Sequence, residues 1–569
     1  MLFLGLALLL ILPALLLANP FDTDGPVHVR WQINYASQIW RGHLFPRWLP
    51  GMNDGFGSPA FFFYPPALQW LGALFVPLLP GDAQAIRRLA LALGMFSVLG
   101  AQGCRLWVRV LGGSPNAAVL AGALWLVAPY RAFVDTYQRC ALAECVSLGL
   151  LPWLGFCGVT LARRRPGGWA AHALAIALLA YAHMPGMMIG YLFAAGHGLA
   201  LVLAQSDGRR RMRLLVALGT SAMTGLAMAG AMLVPALSLL GEIVNPAAMS
   251  GERNQPHNWL LFSGTPWVDH VAWLLTLDIL AITLVMAAAM ARPAVCAPSA
   301  RIRSVAWAML ATVVVVTVLN LGVSLPFWDL RTPLSRIQFP FRLLGASSLA
   351  ICILAAMAYD RFCALRQGGR VQLLWLLLAG LLAADIAAFA YQRLRPRDRH
   401  PPALARIAAS TVDTSEYVLG ALSEAEGLFG SRLAFAPAER AGPGTVIEKA
   451  FIGNRRVMVD YRAPRDTQLA LRQFTFTGWD CRIDAGPWQP AGTWRAGTSS
   501  HAGRVPLCAA PQGTHRLEAM LPMTSAEKWG GWLSCAGLMV LLVSLGGAWG
   551  RSAFQPRPRR NAIAGPTFP

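Results

Sequence analysis

The sequence predicts an all-α polytopic membrane protein of about twelve transmembrane helices with one small extracytoplasmic β-sandwich-like domain. Three observations predict it. The 569-residue chain is 56% hydrophobic and 13% charged, with a mean hydropathy of +0.48. Its apolar stretches recur at roughly 17–25 residues, the length a bilayer core requires of a helix. Short arginine clusters punctuate them: Arg105/Arg109, Arg163–Arg165, Arg209–Arg213, Arg301/Arg303, Arg361/Arg366/Arg370 and Arg551–Arg560. The net charge of +21 is nearly all arginine, since only Lys449 and Lys528 are lysines. In a soluble chain that excess would suggest nucleic acid. Between spans it reads as a cytoplasmic topology signal, so the expected partner is membrane lipid and no nucleic acid.

The spans are expected near 1–18, 84–104, 117–134, 142–162, 168–184, 186–205, 213–236, 267–290, 304–323, 343–359, 371–391 and 529–549. Met1–Ala18 lacks a basic leader and ends in a poor cleavage site, so it reads as a retained signal anchor. With the N-terminus inside, every arginine cluster falls inside. Pro65–Pro80 is also apolar, but it is short and opens on Pro65-Pro66; it reads as a helix lying on, or dipping into, the outer leaflet.

The chain then divides into a transmembrane domain over 1–391 with a long loop at 19–81, an extracytoplasmic region over 392–525, a final helix over 526–550 and a basic cytoplasmic tail over 551–569. From about 440 the extracytoplasmic region alternates with period two, in Val446–Tyr461, Gln468–Phe476 and His515–Leu521, with turns at Gly453-Asn454 and Gly478. The stretch 400–430 reads as helical or irregular. Cys481 and Cys508 are the cysteines of this domain; an oxidising exterior would let them pair, and two free thiols are equally compatible. The other cysteines show no metal-ligand spacing.

Polar and ionisable residues gather where the outer ends of the spans are expected. Asp22, Asp24 and His28 follow the first span at once, a costly place for charge. Asp24 and His28 stand four apart, and Pro26 suits the first turn of a helix. Asp24 is either an N-cap or a general base for an acceptor hydroxyl, with His28 orienting it or binding phosphate or metal. The loop through Gly57-Ser58-Pro59 and Phe61-Phe62-Phe63-Tyr64 is interfacial in composition. Tyr130…Asp135…Arg139…Glu144 opens another span, where Arg139 would grip a phosphate and Glu144 would pair with it or act on substrate. The segment 241–265 contributes Glu242, His257 and Trp259. His183 ends a span, and Gln338 and Arg342 lie in Ser335–Arg342, where arginines would meet a lipid phosphate or snorkel.

Asp24-Gly-Pro-Val-His28, Leu44–Pro50, Gly55–Pro59, Phe63–Pro66, Tyr137–Glu144, His183 and Ile337–Arg342 together resemble the bacterial multi-spanning proteins labelled "6-pyruvoyl-tetrahydropterin synthase-related". Phe474–Trp479 resembles a turn in their external β domain. Nothing resembles the zinc-binding histidines of a soluble pterin synthase. The architecture resembles the GT-C glycosyltransferases, with an acidic motif in the first external loop, juxtamembrane helices and many spans. That resemblance implies a bacterial inner-membrane enzyme with its soluble domain on the periplasmic side. It would take a sugar from a polyprenyl-phosphate donor and deliver it to a glycan, lipid or protein acceptor. By the same resemblance Asp24 is the base, Asp22 a weaker candidate, and Tyr64, Arg139, Glu144, His183, Gln338 and Arg342 bind substrate. No cofactor is required, with room for a divalent metal near Asp22, Asp24 and His28. The alternative is a non-catalytic lipid-carrier binder or polysaccharide-export partner.

Overall fold

The computed structural model describes residues 1–17, 20–21, 24–243, 256–262, 300–330, 337–394, 438–439, 444–495 and 504–553. The span expected at 267–290, the stretch 400–430, most of the basic tail, and Asp22 lie outside these residues.

The apolar runs become helices whose starts are fixed by local chemistry. Helix α1 (Leu2–Leu16) is followed by α2 (Gly25–Ile39), α3 (Ala60–Phe63), α4 (Ala67–Leu74) and α5 (Ala85–Leu111). Helix α6 (Pro115–Leu126) begins with proline and is capped by Ser114, whose Oγ accepts from the Ala117 amide at 3.2 Å. It runs on through a break into a π-helix over Tyr130–Gln138. Helices α7 (Leu142–Ala162), α8 (Gly168–Ala180), α9 (Met184–Leu203), α10 (Gly208–Met228) and α11 (Gly230–Ser238) follow. Further helices cover Ala300–Leu319, Leu344–Ala364, Gly368–Leu394 and Ser525–Ala553.

Among the described residues, eight helices are long and apolar enough to cross a membrane; α10 and α11, bent by 70°, make a ninth if taken as one span. Two of the expected spans fall short: α1 has 15 residues and α8 has 13. At 1.5 Å per residue they reach about 20–23 Å, less than a bilayer core of ~30 Å. The eight-residue α4 is the helix of Pro65–Pro80, and at about 12 Å it is far too short to span.

Helices α5, α6 and α7 pack closely together. A Cβ on Gly100 would lie 3.1 Å from Gly149 Cα, and one on Gly149 would lie 2.5 Å from the Phe96 carbonyl oxygen, so only glycine permits this approach. At the α10–α11 bend, Ser534 of the last helix repairs the broken backbone. Its Oγ accepts from the Ala231 amide at 2.8 Å and donates to the Met228 carbonyl at 2.7 Å. The arginine clusters at 163–165 and 209–213 line one cleft, as expected of segments on one side of the membrane.

The β region is a sandwich of two antiparallel sheets. Its strands are β1 (Ala438–Glu439), β2 (Val446–Gly453), β3 (Arg456–Ala463), β4 (Thr467–Leu471), β5 (Asp480–Ile483), β6 (Gln489–Pro490), β7 (Gly492–Arg495), β8 (Arg504–Ala510) and β9 (Gly513–Met520). One sheet has the order β1-β4-β8-β7, the other β2-β3-β9-β5-β6. Cys481 on β5 and Cys508 on β8 are joined as a disulfide, which staples the two sheets.

The core of the sandwich does not close on itself. Val457, Val459, Leu469, Phe474, Phe476, Trp479 and Leu517 pack with Trp48, Phe56, Phe62 and Phe63 from the loop between α2 and α4. Trp48 Nε1 donates to Gln473 Oε1 at 2.7 Å, and the Phe474 amide donates to the Phe56 carbonyl at 2.6 Å. The aromatic loop is therefore sandwich core rather than a free interfacial segment.

Candidate functional site

Three segments far apart in sequence meet beside the start of α2. The first is the π-helix and the residues after it. A π-helix places residues five apart in register: the Arg139 amide donates to the Val134 carbonyl at 2.7 Å, and Thr136 Oγ1 donates to the Arg131 carbonyl at 2.8 Å. Cys140 then takes a φ of +56°, a conformation costly for a residue with a Cβ. The second segment is the turn Ile337–Arg342, where Gln338 has a φ of +67°. The strained residues thus flank the two arginines.

Arg139 Nη1 lies 2.5 Å from Asp135 Oδ1 and 3.3 Å from Glu144 Oε2. Arg342 Nε pairs with the same Glu144 oxygen at 3.2 Å, and its Nη1 donates to the Ile337 carbonyl at 2.8 Å and to Gln338 Oε1 at 3.4 Å. Tyr130 donates its hydroxyl proton to Glu144 Oε1 at 2.6 Å. Beneath the guanidinium groups lie stacked rings: Arg139 Cζ is 4.7 Å from the Phe341 centroid and Arg342 Cζ is 4.8 Å from that of Phe339. Trp259 packs edge-on against both rings. Asp135 and Glu144 are sealed, with side-chain exposures of 0% and 2%, whereas Arg139 and Arg342 keep 17% and 10%. The carboxylates lie behind and the cations in front, so Glu144 is an ion-pair partner that positions both arginines.

The third segment is the start of α2. The Asp24 amide donates to the Arg139 carbonyl at 3.4 Å, so the acidic motif abuts the arginine cluster. A Cβ on Gly25 would lie 2.3 Å from Phe21 Cβ, so the start of α2 needs glycine to pack against the residues that lead into it. Asp24 stands at the N-cap position, yet its side chain makes no capping hydrogen bond, and the residue is exposed. The N-cap role open to it from sequence is therefore not the one it plays. His28 is buried one turn on, its ring against Trp31 and Tyr64 at 5.6 and 5.9 Å. Burial pushes the His28 imidazole down to about 3, so it is neutral at pH 7. Burial, opposed by Glu144, also pushes His183 down to about 3; its Nδ1 accepts from the Gly186 amide at 3.2 Å, which leaves the proton on Nε2. Neither histidine brings a charge to a phosphate; each brings a hydrogen bond. Burial raises Tyr64, with Asp24, Arg342 and Glu144 all within electrostatic reach of its phenol.

The structure thus brings together Asp24, His28, Tyr64, Arg139, Glu144, His183, Gln338 and Arg342. Asp22 lies outside the described residues. Among the described residues no three His, Cys, Asp or Glu side chains come together as a metal site. Sequence reasoning gave no role to Tyr130 and Asp135. Asp135 stands four residues before Arg139, and that helical spacing was the available signal.

Residues 61–392 match the family of 6-pyruvoyl-tetrahydropterin synthase related membrane proteins. The chain belongs to that family. Among curated proteins, no sequence matches it. Two solved structures are similar in outline. One is AftD, an arabinofuranosyltransferase from Mycobacteria, with 16% identity over 70% of this chain and a TM-score of 0.43. This chain covers only 28% of AftD's length. The other is ArnT from Cupriavidus metallidurans, solved with undecaprenyl phosphate, with 15% identity over 72% of this chain and 74% of ArnT and a TM-score of 0.40.

Proposed function

We propose that this family member is an inverting GT-C-type glycosyltransferase of the bacterial inner membrane, with its β-sandwich on the periplasmic side. It would transfer a sugar from a polyprenyl-phosphate carrier to an acceptor hydroxyl. One observation carries the reading: Arg139 and Arg342, held by sealed carboxylates, stay partly exposed beside an exposed Asp24 that does not cap its helix. Asp24 takes the proton from the acceptor hydroxyl as that oxygen attacks the anomeric carbon. The bond from that carbon to the phosphate oxygen breaks, and its electron pair leaves with the carrier phosphate. Arg139 and Arg342 stabilise the charge growing on the leaving group, and His28 or His183 can add a neutral hydrogen bond. Tyr64 and Gln338 would shape the pocket around the donor.

One observation favours the second reading, a non-catalytic lipid-carrier binder or export partner. Arg139 and Arg342 stay partly exposed, so a lipid phosphate could reach them with no proton transferred at Asp24. Replacing Asp24→Asn separates the readings. Transfer of sugar and binding of a polyprenyl-phosphate sugar are both assayed in detergent. Retained binding with lost transfer supports the enzyme. Unchanged transfer rejects Asp24 as base. Binding without transfer by the parent chain supports the carrier-binding reading.

A further inference from the structure

A second polar site lies at the other end of α2. The helix ends where Gly42 takes a φ of +92° and the His43 amide returns to the Gln38 carbonyl at 3.0 Å. That turn and the β2–β3 hairpin enclose a cleft of about 560 Å³. Gln38 lines it and is 3% exposed, yet its Oε1 has no hydrogen-bond partner. Asn454, at the hairpin tip, lines the facing wall with its Oδ1 likewise buried and unpartnered. Both residues line the cleft with an amide oxygen that has no donor, an unmet demand that sugar hydroxyls would satisfy once a side-chain rotation turns those oxygens into it. Phe451, 46% exposed on the same wall, offers the apolar face on which a pyranose ring packs.

The charge of the cleft narrows the ligand. Arg41, His43 and Arg456 line it. Arg456 shares Glu518 with Arg482, at 2.6 and 2.7 Å, so one carboxylate serves two cations. Arg41 has no ion pair among the described residues. We propose that this cleft binds an acidic oligosaccharide through the unpartnered amides of Gln38 and Asn454 and the cations of its rim. Gln38 lies fourteen residues along α2 from Asp24, about 21 Å at 1.5 Å per residue. An extended chain of sugars could occupy the cleft with its end at Asp24. The ligand's role as acceptor rests on the transferase reading; its binding does not.

The test is isothermal titration of the full-length chain in detergent at about 150 mM salt, where long-range attraction to a cationic surface is largely screened. The probes are hexagalacturonate and the uncharged maltohexaose. The expected result is saturable one-to-one binding of hexagalacturonate, at least about tenfold tighter than maltohexaose. Gln38→Leu and Asn454→Ala should each weaken it about tenfold without changing the protein's charge. Asn454→Ala sits at a surface turn and keeps the test valid where Gln38→Leu fails to fold. Absence of saturable binding, equal binding of maltohexaose, or binding indifferent to both amide variants overturns the proposal; the last would be adsorption to a polycation. Amide-dependent binding by a chain that transfers no sugar would keep the cleft and remove the transferase reading.

Discussion

In each of two buried clusters, two arginines converge on one glutamate over phenylalanine rings. Arg139 and Arg342 meet Glu144 over Phe339 and Phe341; Arg47 and Arg455 meet Glu527 over Phe45 and Phe62. Their surroundings differ. Glu527 belongs to a capping box at the start of the last helix, accepting from the Thr524 amide at 2.9 Å while its own amide donates to Thr524 Oγ1 at 3.2 Å. Arg47 also donates to the Ala231 carbonyl of α11, and Arg455 sits in the β2–β3 turn. The Glu527 cluster therefore locks the aromatic loop, the sandwich, α11 and the last helix together. Burial pulls Arg47 down to about 10 against the opposing pull of Glu527, so it remains charged. The Glu144 cluster adds a second sealed carboxylate, a phenol and the neighbouring Asp24, on backbone distorted at Cys140 and Gln338. Arg455 also has a positive φ, +53°, but there a two-residue hairpin turn accounts for it. A buried arginine–glutamate cluster is therefore not in itself a sign of function. The signs are further ionisable neighbours and backbone strain that no two-residue hairpin accounts for.

Substitutions at the two clusters should separate chemistry from cohesion. The largest effect is expected at Asp24→Asn, which should lower sugar transfer by roughly 100- to 10,000-fold, the usual contribution of a general base. Donor binding and melting temperature should stay those of the parent. Glu527→Gln should act in the opposite sense. It leaves Arg47 buried without its counter-charge and should cost about 3–5 kcal/mol of stability, read as earlier thermal unfolding in detergent, with donor affinity of the folded fraction unchanged. If it instead abolished donor binding in folded protein, the distinction between the clusters would fail. Arg342→Lys keeps the charge but loses the planar fork, and should weaken donor binding roughly 10- to 100-fold, about 1.5–3 kcal/mol. Arg455→Lys at the other cluster should leave donor binding alone, and equal effects from the two lysines would collapse the comparison.

The smallest effect belongs to an exposed pair, His515 Nδ1 with Asp484 Oδ2 at 2.5 Å. The hydrogen bond to Asp484 raises His515 above its ordinary 6.5, and hydrogen bonds from the Arg516 amide and His515 lower Asp484 below 3.8. The histidine's contribution is complete below pH 6.5 and fades as pH rises through its folded value. The aspartate's is complete above pH 3.8 and fades as pH falls through its folded value. Sandwich stability should therefore decline slightly from about pH 5.5 to about pH 8.5, and His515→Gln should flatten that slope in thermal melts.

Hydropathy alone was enough to locate the helices at 85–111, 142–162, 184–203 and 368–394, because burying backbone in lipid forces helix wherever an apolar run is long enough. The period-two segments of the sandwich were legible for the same kind of reason: alternation is the signature of a sheet with one buried face. The aromatic loop misled, since Trp48, Phe56 and Phe62 have the composition of an interface but pack in the sandwich core. Composition records that a side chain avoids water, not which neighbour shields it. Arg47, Arg455 and Glu527 could not be linked from sequence, because an ion pair across hundreds of residues leaves no local spacing to read.

The sequence by itself determined that apolar runs become helices, that a β region follows, and that ionisable residues gather near the ends of particular spans; these follow from local periodicity and the cost of charge in lipid. Only the tertiary structure decided that Asp24 abuts Arg139, that one Glu144 oxygen serves two arginines, and that Gln38 faces Asn454 across a cleft. Those contacts depend on how helices and sheets pack in three dimensions, where a single glycine such as Gly25 or a distorted turn at Gln338 sets distances of a few ångströms.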